Sequence, residues 1–206
     1  MMLYVFDELN TLCDSFFEDV MPLLSQERYT KVSRLRCGAD KNASAAAYLL
    51  LRLVLLDTYN INETVSFVYE KKGKPVLESY PDIHFNLSHC KNAVACAVSD
   101  EAVGVDIQHI TPISDKVARR VMTDCEYAAF KASSAADDYF CEIWTVKESF
   151  LKCTGQGIAS ELRVLAADEI MDKNIIKGNN YFCCVCGHGA QNMHRKHIRR
   201  EHFGKL

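Results

Sequence analysis

The chain has 206 residues, 49% hydrophobic and 25% charged, which excludes a disordered polymer and gives enough length for one substantial core or two small ones. A net charge of −3 and a pI near 6.2 leave no global attraction to nucleic acid or anionic membrane, so any basic site has to be local. The start "MMLYVFDELN" is interrupted by Asp7 and Glu8 and does not read as a secretory signal; the ten cysteines are therefore expected as reduced thiols of a cytoplasmic protein.

In chain order, "LNTLCDSFFEDVMPLL" places Leu12, Phe16 and Val20 at helical spacing up to Pro22 and predicts a first helix. "SQERYTKVSRLRC" predicts a second, with Arg28, Lys31 and Arg34 toward one face. A long helix follows from about Asp40 to Tyr59. Its apolar run Ala45 to Leu56 is too short for a bilayer, which needs about 20 residues, and is broken by Arg52. From Thr64 the period becomes two. "VSFVYE" reads as a strand, "KKGKP" as a tight connection, "IHFNLSH" as a strand with Ile83, Phe85 and Leu87 inward, and "AVACAVS" and "VGVDIQHI" as two more, expected to pair as a meander.

Helices return with "SDKVARRVM" and "TDCEYAAFKA", where Thr123 and Glu126 stand at capping-box spacing; Glu126 is equally a helix cap and a candidate acid–base group. A third runs from about Asp137 to Cys153 and is stopped by Gly155 and Gly157. On it Trp144, Glu148 and Lys152 form one i, i+4 stripe, a carboxylate and an ammonium beside an aromatic. "ELRVLAA" and "NNYFCCVCG" read as closing strands. In "VGVDIQHI", Asp106 and Gln108 project from one face about 7 Å apart, a spacing that suits two oxygen donors to one hard cation. With Glu148 they would give a three-ligand face for Mg²⁺, whose other positions go to water and phosphate. Lys31, Lys74, His89 and Lys152 can meet the phosphates of a polyanion. The residues alone thus point to a Mg²⁺-dependent enzyme acting on a phosphoanhydride.

"GVDIQ" followed some forty residues later by "WTVKESFLKCTGQGI" resembles the paired signature of the 4′-phosphopantetheinyl transferases. "GKP", "FNLSH" and "LSQERYTKVSRL" extend the likeness to the larger, surfactin-synthetase-activating type, over about Leu24 to Ile158. The resemblance implies an α+β fold of two pseudo-twofold-related halves, each a long helix on a small antiparallel sheet, with the active site in the cleft between them. Residues 1–102 would supply the 3′-phosphate and adenine contacts, and 103–206 the metal site and signature helix. It implies transfer of the phosphopantetheine arm of coenzyme A to a serine of an apo acyl, polyketide or peptidyl carrier protein, releasing 3′,5′-ADP.

By the same resemblance Asp106 and Glu148 are metal ligands, with Gln108 as the neutral third donor that strand spacing offers; Lys152 meets the coenzyme A phosphates, and Ser88 and His89 the pyrophosphate. Gly73, Lys74 and Pro75 lie near the adenine, Arg28 and Lys31 bind the 3′-phosphate, and Glu148 or Glu126 takes the serine proton. A monomer is expected, with no membrane or nucleic-acid partner. Two positions depart from the family's pattern: Gln108 replaces a glutamate, and Ala43 stands where an arginine is usual. A coenzyme A binder that has lost transfer is the alternative. In the tail from about residue 181, Cys183, Cys186, His197 and His202 offer zinc-finger ligand types at irregular spacing, against a reading of "YFCCVC" as a strand followed by a basic helix or frayed end.

Overall fold

The computed structural model describes residues 1–13, 15–156 and 162–206. Strands β1 (Met2–Phe6), β4 (His84–His89), β5 (Val94–Ser99) and β9 (His194–His197) form one sheet in the order β4-β5-β1-β9. Strands β6 (Gly104–His109), β7 (Lys173–Gly178) and β8 (Tyr181–Cys186) form a second, ordered β6-β8-β7. Between them in sequence, β2 (Phe67–Tyr69) and β3 (Pro75–Leu77) make a separate hairpin.

Alternation along β1 explains how the sheets stack. Tyr4 and Phe6 point into a core with the long helix α3 (Gly38–Tyr59), while Leu3 and Val5 point into a second core with Val105, Ile107, Cys183 and Val185 of the other sheet. On the far side of that sheet, Cys184 and Cys186 meet Val146 of helix α6 (Ala136–Thr154). The layers therefore run helix, sheet, sheet, helix, each long helix on its own small sheet. Strands β5 and β8 are buried along their whole length because both faces are covered, which is why they read as unbroken apolar runs. No described helix is long and apolar enough to cross a membrane.

Several expectations are corrected. The first helix breaks into a turn at Leu9–Thr11, a short α1 (Phe16–Val20) and a 3-10 turn Met21–Leu23 around Pro22, before α2 (Gln26–Ser33), which is capped by Ser25. The meander does not form: the free edge of β5 is taken by β1, and β6 moves to the other sheet. The segment read as strand "ELRVLAA" holds a 3-10 turn at Leu162–Val164; the third strand of that sheet is β7 instead. Gly157 and Glu161 lie outside the described residues.

The tail is not a frayed end: it forms a further strand and closes in a 3-10 helix, Arg200–Lys205. It crosses back to the first sheet, where β9 pairs parallel with β1, and Ile198 and Phe203 enter the α3 core, the Phe203 ring 5.3 Å from that of Phe6. A zinc site does not assemble there. Cys183 and Cys186 face opposite sides of β8, His197 pairs with Asp7 at 2.5 Å, and His202 accepts from the Arg199 N–H at 3.0 Å.

Candidate active site

The site lies where β4 of one sheet meets β6 of the other. Asn86 and Ser88 alternate to the same side of β4 and satisfy the edge of β6: Asn86 Oδ1 accepts from Val105 N at 2.9 Å and Ser88 Oγ from Ile107 N at 3.2 Å. Side chains thus replace a backbone ladder between the two sheets. Behind β6, α6 approaches closely. A Cβ at Gly104 would stand 2.1 Å from the Ser149 carbonyl oxygen, so glycine is required there. Helix α6 ends on Gly155, whose φ of +67° is the left-handed conformation of a helix C-cap.

This close contact sets the i, i+4 stripe of α6 against the outward face of β6. Asp106, largely buried, accepts through Oδ1 from Lys152 Nζ at 2.6 Å and from Ser88 Oγ at 2.8 Å; Lys152 also donates to the Val105 carbonyl at 3.2 Å. Glu148 is 3% exposed, one turn from Lys152. Its Oε1 and the Oδ2 of Asp106 are both buried without a hydrogen-bond partner. Burial, and then the charge of Asp106, push the Glu148 carboxyl above the usual carboxylate range, with Lys152 opposing. Two buried carboxylates that repel each other while each keeps an orphaned oxygen are a donor set for a hard cation, and Mg²⁺ fits it. Among the described residues no three His, Cys, Asp or Glu side chains converge, so a third protein donor would have to be neutral. Gln108 lies on the same face of β6, at the edge of the next pocket, its backbone carbonyl accepting from Cys141 Sγ at 3.3 Å.

Two cavities flank this centre along α6. One, of about 220 Å³, is lined by Lys72, Gly73, Lys74, Pro75, Asn86, Glu148 and Lys152 and is cationic. The other, of about 180 Å³, is lined by Gln108, Ile113, Val117, Phe140, Cys141 and Trp144 and is largely apolar. On the cationic side, Lys74 does not point freely. Its ammonium donates to the Lys152 and Cys153 carbonyls at 3.1 and 3.3 Å, which fastens the β2–β3 hairpin to the last turn of α6.

His89 is at the exposed end of β4. Enclosure holds its imidazole below the usual histidine range, with Asp40 opposing and the charges of Arg28 and Lys152 adding. Arg28 is buried, with Nη2 donating to the Ser44 carbonyl at 2.8 Å and Nε unpartnered. Lys31 is exposed, its ammonium 5.7 Å from the centre of the Tyr69 ring.

Glu126 is not brought into this constellation. It forms the capping box with Thr123 at the start of helix α5 (Asp124–Ala132), and its oxygens accept from Lys147 Nζ at 2.6 Å, Thr123 N at 2.8 Å and Ala167 N at 2.8 Å. Burial raises its pKa, but Lys147 and the two N–H groups outweigh that and hold it below the usual range. A carboxylate so engaged is a poor proton acceptor, and these contacts favour the helix-cap reading of Glu126. Asn86 and Lys147 are functional positions that sequence reasoning misses. The first was legible as the alternate neighbour of Ser88, the second as a charge among the apolar turns of α6.

The same residues organise the sequence relationships. The 4′-phosphopantetheinyl transferase superfamily profile matches residues 102–198, and the 4′-phosphopantetheinyl transferase N-terminal profile matches 12–101, so the two meet at the turn before β6. The chain is 35% identical over 153 residues to 4′-phosphopantetheinyl transferase psf-1 of Bacillus pumilus, covering 73% of this chain and 66% of that protein. It is 32% identical over 148 residues to 4′-phosphopantetheinyl transferase Sfp of Bacillus subtilis, covering 70% and 66%. To the gsp transferase of Aneurinibacillus migulanus it is 33% identical over 160 residues, covering 76% and 67%. The chain thus spans about two thirds of the length of these relatives. Identity at this level, together with profiles that span residues 12–198, means that the chain belongs to the 4′-phosphopantetheinyl transferase superfamily.

Proposed function

We propose that this protein transfers the 4′-phosphopantetheine arm of coenzyme A to a serine of an apo acyl, polyketide or peptidyl carrier protein, with Mg²⁺ and in the cytoplasm, and that it works as a monomer. The observation that carries this reading is the pair of orphaned Asp106 and Glu148 oxygens, with Glu148 and Lys152 lining a cationic cavity and Gln108 and Trp144 lining an apolar one. Bound there, Mg²⁺ would neutralise charge on the phosphoryl oxygens. Asp106, Glu148 and the carboxamide of Gln108 would hold it.

The chain's own residues divide the remaining work. Lys152 and His89 bind and orient the pyrophosphate, with Arg28 and Lys31 for the 3′-phosphate, and the hairpin turn at Gly73, Lys74 and Pro75 lines the nucleotide side. In-line displacement places the acceptor opposite the leaving 3′,5′-ADP, hence on the apolar side. The serine oxygen forms a bond to the β-phosphorus, the bridging P–O bond breaks, and its electron pair leaves with 3′,5′-ADP. The serine proton passes to Glu148, the carboxylate that shares the α6 stripe with Lys152.

Intact mass of an apo carrier incubated with the protein, coenzyme A and Mg²⁺ tests the reading. A gain of one phosphopantetheine, absent with Glu148→Ala, is the expected result. No gain across fatty-acid, polyketide and nonribosomal-peptide carriers overturns it and leaves a coenzyme A binder. Gln108→Glu adds a negative charge to the donor set and is expected to lower the Mg²⁺ concentration for half-maximal transfer about tenfold, the factor that 1.4 kcal/mol represents. An unchanged Mg²⁺ requirement would remove Gln108 from the metal's surroundings.

A further inference from the structure

Lys147 is wholly buried one residue before Glu148, yet it takes no part in the chemistry above. Its ammonium is saturated by three acceptors: Glu126 Oε2 at 2.6 Å, the Val121 carbonyl at 2.9 Å and the Leu162 carbonyl at 3.0 Å. Unlike Lys152, which also has three acceptors but lines the cationic cavity, Lys147 is shut away from it. Glu126 in turn ties down Ala167 N. A single ion pair therefore fastens α6 to the start of α5, to the segment 162–167, and to Val121 at the end of helix α4 (Asp115–Val121).

That last contact matters because α4 supplies the outer wall of the apolar pocket through Val117, with Ile113 just before it. Both ends of this wall are pinned by α6 side chains. At one end Asp137 Oδ1 accepts from Ile113 N at 2.9 Å; at the other Lys147 holds the Val121 carbonyl. The intervening packing is a small cluster of Ala118, Val121, Met122, Phe130 and Phe140.

We propose that the Lys147–Glu126 pair is a positioning device that holds α4 as the wall of the apolar pocket beside Gln108, and so governs use of the acceptor rather than the holding of coenzyme A. This rests on the transfer reaction proposed above. Burying an ion pair is a poor way to gain stability, since apolar residues of similar volume often do as well or better. What apolar residues cannot do is hold the two carbonyls in place.

The test compares Lys147→Met, Glu126→Gln and the double variant Lys147→Met/Glu126→Leu with the unmodified protein. Coenzyme A affinity is measured by calorimetry with Mg²⁺, KM and kcat with an apo carrier, and acrylamide quenching of Trp144, the only tryptophan and a pocket residue. The expected result is coenzyme A affinity within about twofold of the unmodified protein, a carrier KM raised about tenfold, and stronger Trp144 quenching. The double variant should keep that carrier defect even where its melting temperature recovers.

Recovery of carrier KM together with stability would overturn the proposal and leave the pair a stabiliser. A loss of coenzyme A affinity equal to the rise in carrier KM would overturn it too, placing the pair in the nucleotide site. If Lys147→Met does not fold, Glu126→Gln, whose single amide oxygen can accept from Thr123 N or from Ala167 N but not from both, decides the same question. If the unmodified protein modifies no carrier, the transfer reading fails separately, and unchanged Trp144 quenching in the variants would still show that the wall is not held by the pair.

Discussion

Gly104→Ala is expected to cost about 3 kcal/mol or more, lowering the melting temperature by roughly 6–12 °C for a chain of this size. The added methyl would lie 2.1 Å from Ser149 O, 2.3 Å from Cys153 N and 2.9 Å from the Cys153 Cα, all backbone atoms of α6 that no rotamer change can move aside. Either β6 or α6 must retreat, and the two elements carry Asp106 on one side and Glu148 and Lys152 on the other. Transfer should therefore fall further than the loss of folded protein explains, because the Lys152–Asp106 contact of 2.6 Å leaves no slack. Calorimetry with single-turnover transfer on the same sample checks both parts. A melting temperature within a degree of the unmodified protein would mean that the helix and strand are not in contact as described.

Glu148→Gln is expected to do the opposite to stability while abolishing transfer. In the metal-free protein Glu148 is a buried carboxylate with an unpartnered oxygen near a second carboxylate, a penalty of about 1–3 kcal/mol that the neutral amide relieves. The sign can be followed with pH. Because the folded state raises this pKa, the fold disfavours the ionised form, so the native protein loses stability relative to the variant as pH rises through the ordinary carboxylate range. The variant should melt higher than the native protein at pH 7 and no differently near pH 3. Adding Mg²⁺ should stabilise the native protein by mass action and leave the variant nearly unmoved. A variant that melts lower at pH 7 without Mg²⁺ would show that Glu148 is satisfied in the free protein and is not held in reserve for a cation.

Much of this centre was legible in sequence because it depends on local periodicity. The period of two in "IHFNLSH" and "VGVDIQHI" set Asn86 with Ser88 and Asp106 with Gln108, and the helical period aligned Glu148 with Lys152. What sequence did not reveal depends on pairing across long separations. Strand β1 is a five-residue apolar run that only becomes a strand by lying between β5 and β9, and β6 leaves the expected meander because β8 offers it an edge some eighty residues later. Nor does spacing say which charges are spent on the fold. Glu126 looked equally like a cap and a catalyst until Lys147, Thr123 and Ala167 took up its oxygens, and Lys74 looked free until the last turn of α6 claimed it.

The crossing of β9 to the first sheet bears on the order in which the molecule can be assembled. Met2 pairs with His194, and Val5 with His197, so the second edge of β1 is covered only by a strand distant in sequence. Until then Tyr4 and Phe6 are parts of a sheet with an open margin, and the ring of Phe6 lacks the Phe203 packed against it. Closure of this edge is therefore a non-local event that slows folding, and until it occurs β1 is open to pairing with another chain.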